Sequence, residues 1–176
     1  MAERQVILYL AESLDGFIAE KDGGTGFLSK FDSSAQDAAY QDFYSSIDTV
    51  LMGRMTYQRK LHLAGTYPYS DKESYVFSTT LHDTDDPTTV VAGNIPQFVR
   101  QLKGKKGKGI WLVGGADIFT DLLKEKLIDK LIITIAPVLL GDGVSLVASN
   151  LTDIPLKLLN AKQNDQFVTL TYEVLK

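Results

Sequence analysis

The 176-residue sequence contains no cysteine, which excludes disulfides and thiolate metal sites and makes a reducing compartment, the cytoplasm, the expected location. Histidine is nearly absent too. His62 and His82 stand twenty residues apart, so neither a helical ligand pair nor a histidine-based triad is indicated, and no metal is expected. Positive charge is in deficit, with 18 Lys and Arg against 22 Asp and Glu. A chain of net charge −4 lacks the clustered cations that neutralise phosphates along a nucleic acid, so no nucleic-acid partner is expected. Long apolar runs are missing as well: the longest, Leu131 to Leu140, is about half a membrane span, and Met1 to Arg4 does not open a signal peptide. No membrane partner is expected. The common nucleotide signatures are also lacking, since no G-x-G-x-x-G occurs and Gly104 to Gly109 is followed by Ile110 rather than Lys and Ser or Thr. Small-molecule chemistry is what these absences leave.

What is present is an alternation of strand and helix patterns. Val6 to Leu10 is a near-continuous apolar run, as a strand covered on both faces requires. A glycine-bearing loop follows, and Ser33 and Ser34 supply an N-cap for a helix to about Ser46. Strands are then predicted at 49–52, 75–78, 88–92, 110–113 and 130–136, with helices at 54–63, near 95–102 and after Gly115. The last of these helices places Ile118, Phe119, Leu122, Leu123 and Leu127 on one face. Val168, Leu170, Tyr172 and Val174 alternate with polar neighbours, so the chain ends in an antiparallel hairpin with residues 156–161. Repeated strand-helix units imply parallel strands with helices on both faces, hence one α/β domain over 1–176. The run Lys103 to Lys108 reads as a solvated loop.

Ligands of such sheets bind at the carboxyl ends of strands, where helix N-termini offer unpaired N–H groups. Two turns qualify. At the first, Gly53 permits close approach, Arg54 adds a fixed positive fork and Thr56 a hydroxyl; at the second, Gly114, Gly115 and Ala116 repeat the strand-glycine-helix arrangement. Either alone reads as an ordinary tight turn, but together they suit a ligand with two or more phosphates.

Four segments now carry a resemblance: Ser13-Leu14-Asp15-Gly16-Phe17-Ile18-Ala19, Asp48 to Tyr57 with its Met52-Gly53-Arg54 core, Val113 to Phe119, and Ala136 to Gly143. In this order they resemble the dihydrofolate-reductase-like family, in particular the reductase domain of bifunctional riboflavin-biosynthesis enzymes. The resemblance implies a mixed, mostly parallel sheet and an NADPH-dependent oxidoreductase, similar to 5-amino-6-(5-phosphoribosylamino)uracil reductase, acting on a small heterocyclic substrate. Gly53, Arg54 and Thr56 would hold phosphates, Gly114, Gly115, Ala116 and Asp117 the pyrophosphate, and Ser78 and Thr79 the 2′-phosphate, although the last two also read as a strand-end cap. The family's catalytic carboxylate lands on Asp37, with Asp15 as its rival; Asp37 also suits a helix N-terminus, and Asp15-Gly16 an ordinary turn. The loop from Asp15 to Phe31 has no tryptophan, Phe27 taking the aromatic position. The resemblance further implies a homodimer through the C-terminal half. Dihydrofolate reductase proper, and a non-catalytic nucleotide-binding protein of the same fold, stand as alternatives.

Overall fold

The computed structural model describes residues 3–31, 34–147 and 151–176, apart from the side chains of 34–37. Ten strands and four helices follow in the order β1 (Val6–Ser13), β2 (Phe17–Ala19), α1 (Ser34–Ser45), β3 (Ile47–Gly53), α2 (Arg54–Ala64), β4 (Glu73–Phe77), β5 (Thr88–Val91), α3 (Ile95–Lys103), β6 (Gly109–Gly114), α4 (Ala116–Lys124), β7 (Lys130–Ala136), β8 (Val144–Ser145), β9 (Leu156–Asn164) and β10 (Phe167–Val174). A short 3-10 turn, Gly26–Lys30, precedes α1. The N-cap expected from Ser33 and Ser34 lies outside the described residues.

Eight strands form one sheet in the order β5-β4-β3-β6-β1-β7-β10-β9. The pairs from β5 to β7 are parallel and those of β7 with β10 and of β10 with β9 antiparallel. The apolar runs β1, β3 and β6 occupy the middle because only there are both faces of a strand covered. On one face Val99 and Leu102 of α3 and Phe119 and Leu122 of α4 pack on Val6, Leu8, Leu51 and Leu112. On the other, Phe43 of α1 and Tyr57 of α2 join Tyr67, Tyr69 and Trp111 over Ile7, Val50, Met52 and Val76. Each buried aliphatic or aromatic side chain contributes about 1.5–3 kcal/mol of transfer free energy.

Two features depart from the expected picture. Lys103 is not solvated: it is buried and paired with Asp129, while residues 104–108 are exposed. The second is a small two-stranded sheet of β2 and β8 beside the main one. It brings the loop after β1 against the loop after β7.

Candidate active site

The parallel strands deliver their carboxyl ends to one edge of the sheet. β3 and β6 are neighbours there, yet α2 continues onto the α1 side of the sheet and α4 onto the α3 side. Chains that leave adjacent strands toward opposite faces open a crevice between them. The two turns that border it touch: a Cβ added at Gly114 would lie 3.5 Å from Thr56 Oγ1, and one at Gly53 would lie 3.0 Å from Ile118 Cδ1. Gly115 has φ +77°, a conformation that glycine adopts without steric cost.

Both helices at this crevice begin uncapped. α2 starts on Gly53 and α4 on Gly115 with no side chain among the described residues accepting from their first N–H groups, whereas α3, away from the crevice, is closed by Asn94 Oδ1 accepting from Gln97 N at 2.9 Å. Unpaired N–H groups and the positive ends of two helices therefore converge on one place, which suits a diphosphate.

The crevice widens into a cleft of about 700 Å³ lined by Thr56, Gly114, Gly115, Ala116 and Asp117 together with Tyr9, Tyr40, Tyr69, Trp111, Arg59, Lys60 and Leu63. Trp111 is fixed as part of the aromatic wall by donating Nε1–H to Tyr9 O (3.1 Å) and by edge contacts with Tyr40 and Tyr69. Burial raises the pKa of Tyr9, and chiefly burial pushes that of Tyr40 up to about 12. Both phenols are therefore neutral donors at physiological pH. Across the mouth, Arg59 Nη2 donates to Asp22 O at 3.0 Å, and its guanidinium lies so close to Gly23 that a side chain there would collide with it. Met55 and Leu63 leave the core altogether, 64% and 68% exposed at the cleft. This face of α2 is turned to the cleft and not to the core.

The expected site residues divide accordingly. Thr56, Gly114, Gly115, Ala116 and Asp117 line the cleft, and Gly53 and Arg54 form the adjoining turn with Arg54 exposed. Ser78 and Thr79 follow β4, outside the cleft lining. Ser78 Oγ accepts from Leu81 N (2.9 Å) and Thr80 N (3.2 Å), a strand-end cap, and Thr79 is exposed. The backbone of Asp37 lies in α1, but its side chain lies outside the described residues.

Asp15 is engaged elsewhere. Its carboxylate accepts from Ser13 Oγ (2.6 Å), Gly141 N (2.7 Å) and Leu140 N (3.1 Å), and Ser13 Oγ in turn accepts from Phe17 N at 3.0 Å. Its pKa falls to about 2, first because of the Ser13 hydroxyl; desolvation is next and opposes it, and the backbone N–H groups of Gly141, Leu140 and Asp15 itself lower it further. This latch joins the start of β2 to the loop before β8, and Ile18, Ala19 and Val144 of that flap line the cleft. Sequence reasoning missed Arg59, Lys60, Tyr9, Tyr40 and Trp111 as cleft residues. The signal for the first two was the spacing Thr56, Arg59, Lys60, Leu63, one helix face at i, i+3, i+4 and i+7.

A second hollow, about 600 Å³, lies at the opposite edge against Arg4, Lys103 and Lys130. Arg4 is already bound to Asp48 and Thr49, and Lys103 to Asp129. Among the described residues no group of three or more His, Cys, Asp or Glu is placed to hold a metal, and no helix is long and apolar enough to cross a membrane.

The uncharacterized protein YwjB of Bacillus subtilis is 40% identical over 171 residues, covering 97% of this chain and 98% of its own. The crystal structure of a Shewanella sp. PV-4 protein assigned to riboflavin biosynthesis superposes with a TM-score of 0.87 at 28% identity, covering 98% and 99% of the two chains. Dihydrofolate reductase from Enterococcus faecalis, solved with NADP(H), shares the fold with a TM-score of 0.71 at 13% identity, covering 98% of this chain and 97% of its own. The sheet is accordingly dihydrofolate-reductase-like. Residues 4–170 match the model of the RibD C-terminal domain, and the chain belongs to that family.

Proposed function

We propose that the cleft binds NADPH and presents it to a small planar heterocycle of the pyrimidine type, making the protein an NADPH-dependent reductase. The observation that carries this reading is the pair of uncapped helix N-termini converging at the end of β3 and β6. Arg54 would meet the 2′-phosphate that distinguishes NADPH from NADH, and Thr56 and the backbone of Gly114 to Asp117 would hold the pyrophosphate. When bound, the nicotinamide supplies the hydride. The chain's own part is to orient the ring against Tyr9, Tyr40 and Trp111, to exclude water beneath the β2-β8 flap, and to hold a proton on an acid that we assign to Asp37.

NADPH is expected to raise the melting temperature more than NADH at equal concentration, because a ligand specific to the native state stabilises it by RT ln(1 + [L]/Kd). Arg54→Ala should weaken NADPH by about 1.5–3 kcal/mol, the scale of a charged hydrogen bond, and leave NADH nearly unchanged. Equal shifts from the two cofactors would overturn the NADPH preference. No shift from either would overturn the reductase reading.

We also propose a homodimer. β9 closes the sheet as an edge strand exposed along 156–163, and Leu156, Leu158, Leu159 and Val168 present apolar surface there. Such an edge is normally covered. Light scattering at tens of micromolar should give twice the chain mass, and a monomer mass would refute the pairing.

A further inference from the structure

The hollow at the opposite edge of the sheet carries the reverse sign of the molecule. Its lining holds six cations, Arg4, Lys103, Lys105, Lys106, Lys108 and Lys130, and one carboxylate, Glu3, in a chain of net charge −4. Asp48 and Asp129, the partners of Arg4 and Lys103, stand outside that lining, and with them counted the cations still exceed the acids by three. Such a surplus draws anions to the hollow. Asp32 and Asp37, whose side chains lie outside the described residues, come before or near the start of α1, whereas the hollow is met just past its other end, at Ser46.

The loop that borders the hollow is held in place. A Cβ at Gly107 would lie 2.8 Å from both Arg4 Cζ and Asp48 Oδ2, so glycine is what lets the chain cross that ion pair. Lys108 N donates to Asp48 Oδ2 at 2.7 Å and Lys108 Nζ to Ser45 O at 2.9 Å. Nearby carbonyls are consumed: Lys103 O accepts from Arg4 N, Lys108 O from Arg4 Nε and Ser46 O from Gly109 N. Donors are left over. Lys106 N, Gly107 N, Arg4 Nη1 and the ammonium groups of Lys105, Lys106 and Lys130 meet no acceptor among the described residues. Consecutive backbone N–H groups flanked by cations suit phosphate oxygens. No aromatic side chain among the described residues lines the hollow, so nothing there stacks on a base.

We propose that this hollow is a second ligand site, separate from the cleft, that binds a chain of two or more phosphates through the phosphates alone, whether free inorganic triphosphate or the triphosphate end of a nucleotide. Lys105, Lys106 and Lys130 meet the phosphate oxygens, and the N–H groups of Lys106 and Gly107 fix the chain against the loop. The site does not depend on what the cleft binds.

Because the cleft can also take up phosphates, the test reads each place locally, by 15N NMR of the full chain at about 150 mM salt without magnesium. On titration with inorganic triphosphate the Lys106 and Gly107 amide signals should move with a Kd below about 0.1 mM, and sulfate should act at least about tenfold more weakly. Occupation of the cleft is followed separately at Gly115 and Ala116. Lys106→Gln combined with Lys130→Gln should weaken triphosphate, read at Gly107, by about tenfold and leave the melting temperature without ligand unchanged, since neither ammonium pairs with another described residue. Arg54→Ala, at the cleft, should leave the Kd read at Gly107 as it was. ATP as tight as triphosphate supports the site with a nucleotide as source, and ATP about tenfold weaker supports it with the inorganic chain. ATP more than about tenfold tighter means that the base is recognised and overturns binding through the phosphates alone. No movement of Lys106 and Gly107 at about 1 mM triphosphate, or affinity at Gly107 kept within about twofold by the double variant, overturns the site.

Discussion

Asp129→Ala is expected to destabilise the fold by about 3–5 kcal/mol, the cost of stranding a buried charge. For a domain of this size that lowers the melting temperature by about 6–20 °C. Asp129 precedes β7 and accepts from three elements at once: Lys103 Nζ at the end of α3, Lys176 Nζ at 2.5 Å, and Val6 N at the start of β1 at 2.7 Å. The Lys103 and Asp129 side chains are 5% and 15% exposed. Removal of the carboxylate leaves a buried ammonium with no counter-charge and an orphaned N–H. Burial alone would raise the Asp129 pKa, but the hydrogen bonds from Lys103, Lys176 and Val6 outweigh it and the net shift is downward. A carboxyl whose folded pKa is depressed stabilises the protein above its unfolded pKa and loses that contribution as pH falls through the folded value. The penalty of Asp129→Ala should therefore be full at neutral pH and shrink below the ordinary carboxylate range. Chemical denaturation of parent and variant across that range measures it. Lys103→Met combined with Asp129→Ala should recover part of the loss, because the stranded charge is gone; a double variant as unstable as the sum of the singles would show that the pair is not the cause.

The same pair shows where sequence reading stops. Lys103 belongs to a run of lysines and glycines that reads as solvent-facing, and the partner that buries it is 26 residues away. The alternation of strands and helices was legible because each apolar run reflects burial on two faces, a local pattern. β2 and β8 have three and two residues, too short for any period to register, so the flap was invisible. The two glycine turns were legible as turns, and their convergence was not, since it depends on β3 and β6 lying side by side although α2, β4, β5 and α3 separate them in the chain. α2 hid its role for another reason. Its cleft-facing stripe mixes Thr56, Arg59, Lys60 and Leu63, and a mixed stripe looks like a solvated helix face unless the cleft beside it is known. Asp15 was legible as a turn residue and as an acid; the bonds that commit it to Leu140 and Gly141 span 125 and 126 residues.

Asp37→Asn is expected to lower turnover by about 10²-fold, equivalent to about 2.7 kcal/mol at the transition state, while NADPH affinity stays within about twofold. The motive is its position: Asp37 lies in α1 three residues before Tyr40, which lines the cleft, at the place where the resemblance puts the substrate-binding carboxylate. The amide keeps the shape and removes the titrating group, so a loss confined to kcat would mark proton transfer or ring anchoring. Asp15→Asn is the paired measurement, and the latch gives it a different expected signature. An amide retains one acceptor oxygen but turns an N–H group toward donors that now meet a carboxylate, so the hold on residues 140 and 141 weakens and the β2-β8 flap loosens. Its effect should fall mainly on KM, with faster hydrogen exchange in residues 16–19 and 138–145 and little change elsewhere. With a pKa near 2, the Asp15 carboxyl is ionised throughout the neutral range and has no proton to give. If Asp15→Asn abolishes turnover at saturating substrate while Asp37→Asn stays active, the acid is wrongly assigned and the flap loop carries the chemistry. If neither substitution changes kcat, the proton comes from solvent, and catalysis rests on how the cleft orients the nicotinamide against its substrate.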